Sequence, residues 1–132
     1  MDLYVFVNNV RGLESGIYYY DFINDDLIQM EYGNMRSIIG RLNFQNEFSI
    51  YSNFVVAIVS DLSRIVPKYY KRAYRMVHVD AGIALSYLQI IGEYVGVSSC
   101  IVAGFLENEL ERLLCLSRDD YPIATMAFGI KS

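Results

Sequence analysis

Four of the eleven cationic side chains fall within eight residues, as Lys68, Lys71, Arg72 and Arg75, in a chain whose formal net charge is −4. A lysine becomes a base when dehydration or neighbouring cations favour its neutral form. Lys71 and Arg72 supply such a field around Lys68, and Tyr69 adds a hydroxyl able to orient a substrate or relay a proton. The cluster reads as the start of a helix, where positive charge opposes the dipole, so an anionic group is one reason to gather it there. The alternative is a solvated basic helix start with an aromatic ring beneath it. A second candidate is Gly104, which follows a predicted strand, where ligands of α/β sheets bind; the alternative is an ordinary turn glycine. The lone His78 cannot anchor a metal site and reads as a helix residue with an ordinary partner. Cys100 and Cys115 lack metal-ligand spacing and read as small apolar groups. No metal is expected.

The elements that position these residues come from composition and periodicity. The 132 residues are 54% hydrophobic and 20% charged, enough apolar matter for one folded domain spanning 1–132. A pI near 4.9 argues against nucleic acid as a partner. No apolar run reaches the ~18 residues of a membrane span. Two cysteines without a basic, then apolar, leader point to a reducing, cytoplasmic setting. Twelve tyrosines and no tryptophan suit half-buried strand and helix positions, or an interface or cofactor pocket.

Leu3 to Val7, Ile17 to Tyr20 and Leu27 to Met30 read as three strands joined by polar turns, a β-meander over residues 1–31. Asn34 to Asn43 reads as a short helix, and Gln45 to Ser52 is ambiguous. Phe54 to Val59 has no polar alternation and reads as a strand buried on both faces. Asp61 or Ser63 caps a short turn that stops at Pro67. A long helix over Tyr70 to Tyr94 carries the stripe Ala73, Val77, Ala81, Ala84, Leu88, Ile91 and Val95. Ala81, Gly82 and Ala84 at its middle invite close approach of another backbone, in the core or at a subunit interface. Gly96 closes it. Ser99 to Ala103 is a strand, Glu107 to Leu114 a helix and Pro122 to Gly129 a last strand. The order predicts a layered α/β or α+β domain.

Three segments in this order carry a family resemblance. The first is Ser15-Gly16-Ile17-Tyr18-Tyr19-Tyr20-Asp21, with Leu27-Ile28 after a polar loop. The second is Lys68-Tyr69-Tyr70-Lys71-Arg72-Ala73-Tyr74-Arg75, running on to Asp80-Ala81-Gly82. The third is Gly96-Val97-Ser98-Ser99-Cys100, Ala103-Gly104-Phe105 and Leu113-Leu114. Together they resemble the SagB-type dehydrogenases, nitroreductase-fold flavoproteins that oxidise azolines to azoles in modified peptides. The resemblance spans nearly the whole chain and implies an α+β nitroreductase-like fold, with 34–132 as its flavin-fold core, FMN as cofactor, and a homodimer or a heteromer with a related chain. It also implies that a family member's N-terminal segment, with its Arg-rich phosphate clamp, is absent, so that the fold is N-terminally truncated and the clamp comes from another chain if flavin is bound.

The resemblance assigns roles residue by residue. Lys68 and Tyr69 correspond to a catalytic pair near the flavin. Gly104, with Ala103, corresponds to the position whose N–H meets flavin N5, where the lack of a side chain lets the ring lie against the backbone. Ser99 belongs to a loop that is richer in glycine in the family. Lys131 corresponds to a phosphate contact, and Asn46 to an amide touching the flavin. Ile83 departs from the pattern, since relatives carry His there. The expectation is an FMN-dependent oxidoreductase acting on an azoline-bearing peptide or a small molecule. The alternatives are a non-catalytic scaffold or partner subunit of a peptide-modifying complex, and a fragment of a longer protein.

Overall fold

A computed structural model describes residues 1–130. Lys131 lies outside the described residues. The strands are β1 (Asp2–Val7), β2 (Gly16–Asp21), β3 (Asp26–Tyr32), β4 (Phe54–Asp61), β5 (Val97–Val102) and β6 (Asp120–Ile130). The helices are α1 (Arg36–Leu42), α2 (Glu47–Ile50), α3 (Leu62–Tyr69), α4 (Ala73–Tyr94) and α5 (Glu107–Leu113), with a 3-10 turn at Tyr70–Arg72 between α3 and α4.

The strands form one six-stranded sheet in the order β3-β2-β1-β4-β6-β5. Its pairings are antiparallel, with Val5 opposite Val56, Val56 opposite Met126 and Val102 opposite Thr125. The architecture is therefore α+β, and the β-meander is continuous with the rest of the sheet through β1 and β4. The run Phe54 to Val59 is the central strand, and residues 55–60 are buried. Successive side chains of a strand point to opposite faces. Val55, Ala57 and Val59 join Phe6, Ile17, Ile39, Leu42, Phe105 and Leu110 on one face. Val56 and Ile58 join Ala81, Leu85, Met126 and Phe128 on the other. The first face carries α1 and α5, the second α4. Each fully buried Ile, Leu or Phe contributes roughly 1.5–3 kcal/mol, so both helical layers are held to the same strand.

The predicted helix over Tyr70 to Tyr94 is the 3-10 turn followed by α4, and the predicted turn before it is the helix α3. Asp61 caps α3 by accepting from the Ser63 N–H at 3.0 Å, and α3 runs through Pro67 rather than stopping at it. The break comes at Tyr70, whose φ of 51° is a backbone state that a bulky side chain rarely adopts. The buried stripe of α4 is Ala73, Val77, Ala81, Leu85 and Gly92. Ile91 and Val95, expected in it, are exposed, while Ala84 and Leu88 are partly buried against the core; Val95 lies beyond the end of the helix. The close approach falls at Gly92 and not at Gly82. A Cβ at Gly92 would lie 3.4 Å from Val97 O and from Phe128 Cε1, while one at Gly82 would meet nothing within 4 Å. Gly96, at φ 86°, ends α4 as expected.

The Ser63 hydroxyl, helped by the Ser63 N–H and Arg64, holds the Asp61 carboxyl below the usual range against partial burial. A depressed carboxylate contributes stability above its unfolded value of ~3.9 and loses it as pH falls through the folded value. Asp61→Ala should therefore cost about 1 kcal/mol at pH 7, measured by urea unfolding. The deficit against the parent should shrink as pH is lowered below ~4.

Candidate functional site

Gly104 lies in the irregular link Ala103–Leu106 between β5 and α5, and the link is fastened on both sides. Before it, the Thr125 hydroxyl donates to Val102 O at 3.0 Å. After it, the Leu106 N–H donates to Leu42 O at the end of α1 at 2.9 Å, and Phe105 is buried in the core. Ala103 and Gly104 are exposed between these anchors. A Cβ on Gly104 would meet nothing within 4 Å, and its φ is not left-handed. Neither crowding within the chain nor backbone strain requires a glycine here. The backbone held at both ends is open above Gly104, which leaves room for a planar ring such as a flavin to lie against it. The expectation borrowed from parallel α/β sheets does not explain the position, because β5 is antiparallel to β6.

Leu42, which anchors the link, leads into a second loop, Asn43 to Asn46. Phe44 and Gln45 have φ of 53° and 60°, so two consecutive side-chain-bearing residues occupy the left-handed region. Such pairs persist only where surrounding bonds over-determine them. Here the Gln45 N–H donates to Gly40 O at 2.6 Å and the Asn46 N–H to Asn43 O at 3.1 Å. Asn46 caps α2, its Oδ1 accepting from the N–H and the hydroxyl of Ser49, each at 2.9 Å. Only the amide oxygen can accept, so the cap sets the amide orientation and leaves the Nδ2 donor outside the cap. On the surface, Glu109 of α5 pairs with both Arg112 and Arg41 of α1 at 2.5 Å. Arg112 first, then Arg41, holds the Glu109 carboxyl below the usual range.

The structure thus joins the start of the Asn43 to Asn46 loop to the end of the Ala103–Leu106 link through the Leu106–Leu42 hydrogen bond. It does not bring Lys68 and Tyr69 into the same cavity. Lys68, Tyr69, Tyr70, Lys71 and Arg72 line a separate recess of about 420 Å3, with Lys68 Nζ 5.3 Å from the Tyr69 ring centre. Lys68 sits in the last turn of α3, where a cation is favoured by the dipole. This corrects the reading of all four cations as one helix start, since only Arg72 and Arg75 stand at the beginning of α4. Lys68 is exposed, so burial within this chain does not dehydrate its ammonium. Ser99 is opposite Phe128, and Phe128 belongs to the α4 side of the sheet, so Ser99 faces α4 and not the α1 and α5 layer.

His78 has ordinary partners, with Nδ1 2.5 Å from Tyr74 O and Nε2 3.1 Å from the Tyr121 hydroxyl. Ile83 is exposed on the outer face of α4, in an apolar recess of about 310 Å3 with Val79, Gly82, Ser86, Tyr87 and Ile90. Among the described residues no group of three or more His, Cys, Asp or Glu is placed to hold a metal. No described helix is long and apolar enough to cross a membrane. Sequence reasoning missed Asn43 and Thr125, both buried. A polar residue inside an apolar run, as Thr125 is in Ile123 to Phe128, was the available signal.

Known proteins resemble this chain in sequence and in fold. A protein of Methanocaldococcus jannaschii named as a nitroreductase is 23% identical over 131 residues, covering 99% of this chain and 65% of that one. A crystal structure titled as a nitroreductase from Anabaena variabilis superposes with a TM-score of 0.92 at 26% identity, covering 99% of this chain and 27% of that one. The E. coli microcin synthetase McbBCD complex, solved with truncated pro-MccB17 bound, superposes with a TM-score of 0.84 at 17% identity, covering 99% of this chain and 52% of its own. This last likeness is one of fold. The chain thus spans less than two thirds of the length of these relatives. Residues 4–130 match the nitroreductase family, and the chain belongs to that family.

Proposed function

We propose that this chain is the flavin-ring-binding part of an FMN-dependent oxidoreductase. The observation that carries the reading is the Ala103–Gly104 backbone, anchored on both sides and open above Gly104, in a chain of the nitroreductase family. FMN, when bound, supplies a reversible hydride acceptor. The Gly104 N–H meets the ring and the Asn46 amide donates to its polar edge. In this reading assembly with a second copy or a related chain brings a Lys68 to the flavin ring, where it takes a proton from the substrate carbon and Tyr69 orients the substrate. With Lys68 exposed in this chain, a bound substrate or a second subunit supplies the cover that makes it a base. The finer reading is the SagB type, oxidation of an azoline in a modified peptide. It is supported by the ordered segments around Lys68-Tyr69 and Gly104, and by the fold likeness to a component of the microcin synthetase complex.

The partner in this reading is a second copy or a related chain. The outward face of α4 exposes Val79, Ile83, Tyr87, Ile90 and Tyr94, spaced as one helical stripe. An apolar stripe of that length on a surface helix marks an association surface. A second reading, a non-catalytic partner subunit, is favoured by Ile83 in place of the family's His and by the separation of the Lys68 recess from Gly104.

The purified chain mixed with FMN should give a flavin spectrum that co-elutes with protein on gel filtration, whereas flavin that elutes wholly free would overturn the flavin reading. Gly104→Val should weaken FMN binding about tenfold or more, by intruding where the ring lies. It should leave the melting temperature nearly unchanged, because its Cβ space is open. Lys68→Ala should retain FMN and lose turnover by roughly 10²–10⁴-fold, the usual contribution of a general base; undiminished turnover excludes Lys68 as the base. Ile83→Glu should shift the solution mass from dimer to monomer, read by light scattering.

A further inference from the structure

The two loops of the candidate flavin site are tied together inside the protein by a short line of buried polar groups. Thr125 is fully buried on β6, and Asn43 and Ser49 are buried at the end of α1 and within α2. The single Thr125 hydroxyl proton is shared between Val102 O at 3.0 Å and, more weakly, Asn43 Oδ1 at 3.5 Å. Asn43 Nδ2 donates to the Ser49 hydroxyl at 3.1 Å, which in turn donates to Asn46 Oδ1 at 2.9 Å. The line begins at the carbonyl just before Ala103–Gly104 and ends at the amide of Asn46. A buried hydroxyl left without a partner is costly, so each group holds the next in one arrangement. An apolar residue of the same shape would fill the space under Val102 without directing its carbonyl.

We propose that Thr125 is a positioning residue, which through Asn43 and Ser49 makes the Gly104 link and the Asn46 loop a single rigid unit and fixes the separation of the two flavin-facing donors. The assignment of a flavin to those donors rests on the function proposed above, while the coupling of the two loops does not. Thr125 itself is buried and touches neither cofactor nor substrate. Its effect passes through the Val102 carbonyl on one side and the Asn43 side chain on the other. Ser49 acts at the far end of the same line, so removing either hydroxyl loosens both loops.

The test is amide hydrogen exchange of the full chain without FMN, for the parent, Thr125→Val, Thr125→Ser and Ser49→Ala, beside FMN titrations of the same proteins. Thr125→Val should speed exchange of the Leu106 N–H and of the Ser49 N–H together, by about tenfold relative to Ile58 in the central strand, the size expected for a buried hydrogen bond. Ser49→Ala should do the same from the other end, and Thr125→Ser should restore the parent's pattern. A purely structural loss would raise exchange at Ile58 in step with the loops, and that outcome overturns the proposal. So does acceleration confined to the loop next to the substitution, or none at either. In the titrations FMN affinity should fall about tenfold in Thr125→Val and recover in Thr125→Ser. A parent chain that binds no FMN removes the flavin reading, while the exchange data still decide the coupling.

Discussion

The fold rests on one strand being buried on both faces. β4 sits between β1 and β6 with its alternate residues in two separate apolar clusters. Water is excluded from its backbone as well as its side chains, so both its hydrogen-bonded edges are filled by neighbouring strands. Each of its faces also requires a helical cover. α1 and α5 close one face and α4 the other. The position of every candidate residue follows from which cover it belongs to. The Asn46 loop and the Gly104 link are the ends of elements on one face. The basic recess opens where α3 gives way to α4, the helix covering the other.

Polar groups inside the first layer give it direction that apolar packing lacks. Hydrophobic burial holds Phe105 and Leu110 against the sheet but does not choose how the intervening carbonyls and N–H groups point. Hydrogen bonds from Thr125 and to Leu42 do choose. A ligand held by backbone groups needs that kind of preorganisation, since its affinity suffers whenever those groups must be ordered on binding. The consecutive left-handed residues Phe44 and Gln45 fit the same account, because their strain is tolerable only in a loop bonded on several sides.

The second layer has a different character. α4 buries Ala73, Val77, Ala81 and Leu85 against the sheet yet leaves an apolar stripe through Ile83, Tyr87 and Ile90 facing outward. A surface helix of a domain that functions alone carries charges there. In the reading proposed above, that stripe is where a second copy or a related chain sits.

Local chemistry made much of the fold readable in advance. The run Phe54 to Val59 has no polar residue and can only be a strand buried on both sides. The polar turns bounding Ile17 to Tyr20 announce a meander, and Gly96 supplies the positive φ that closes α4. The ordered segments around Ser15, Lys68 and Gly104 were enough to indicate the family. Contacts between residues distant in sequence were not readable. Nothing near Thr125 announces Asn43, 82 positions away, because a hydrogen bond across a core leaves no periodic trace along the chain. A stop before the long helix was readable from Pro67, but its place at Tyr70 was not, since α3 continues through the proline and no glycine marks the positive φ. The sequence by itself determined the six strands, α1, α4 and α5, the two-faced core and the family, because these depend on residue type and spacing; it left α2 open and read α3 as a turn. Tertiary structure alone decided that the end of α1 is joined to the link after β5 and that Lys68 closes α3 rather than opening α4, because those relations are set by sheet pairing and the path of the chain around it.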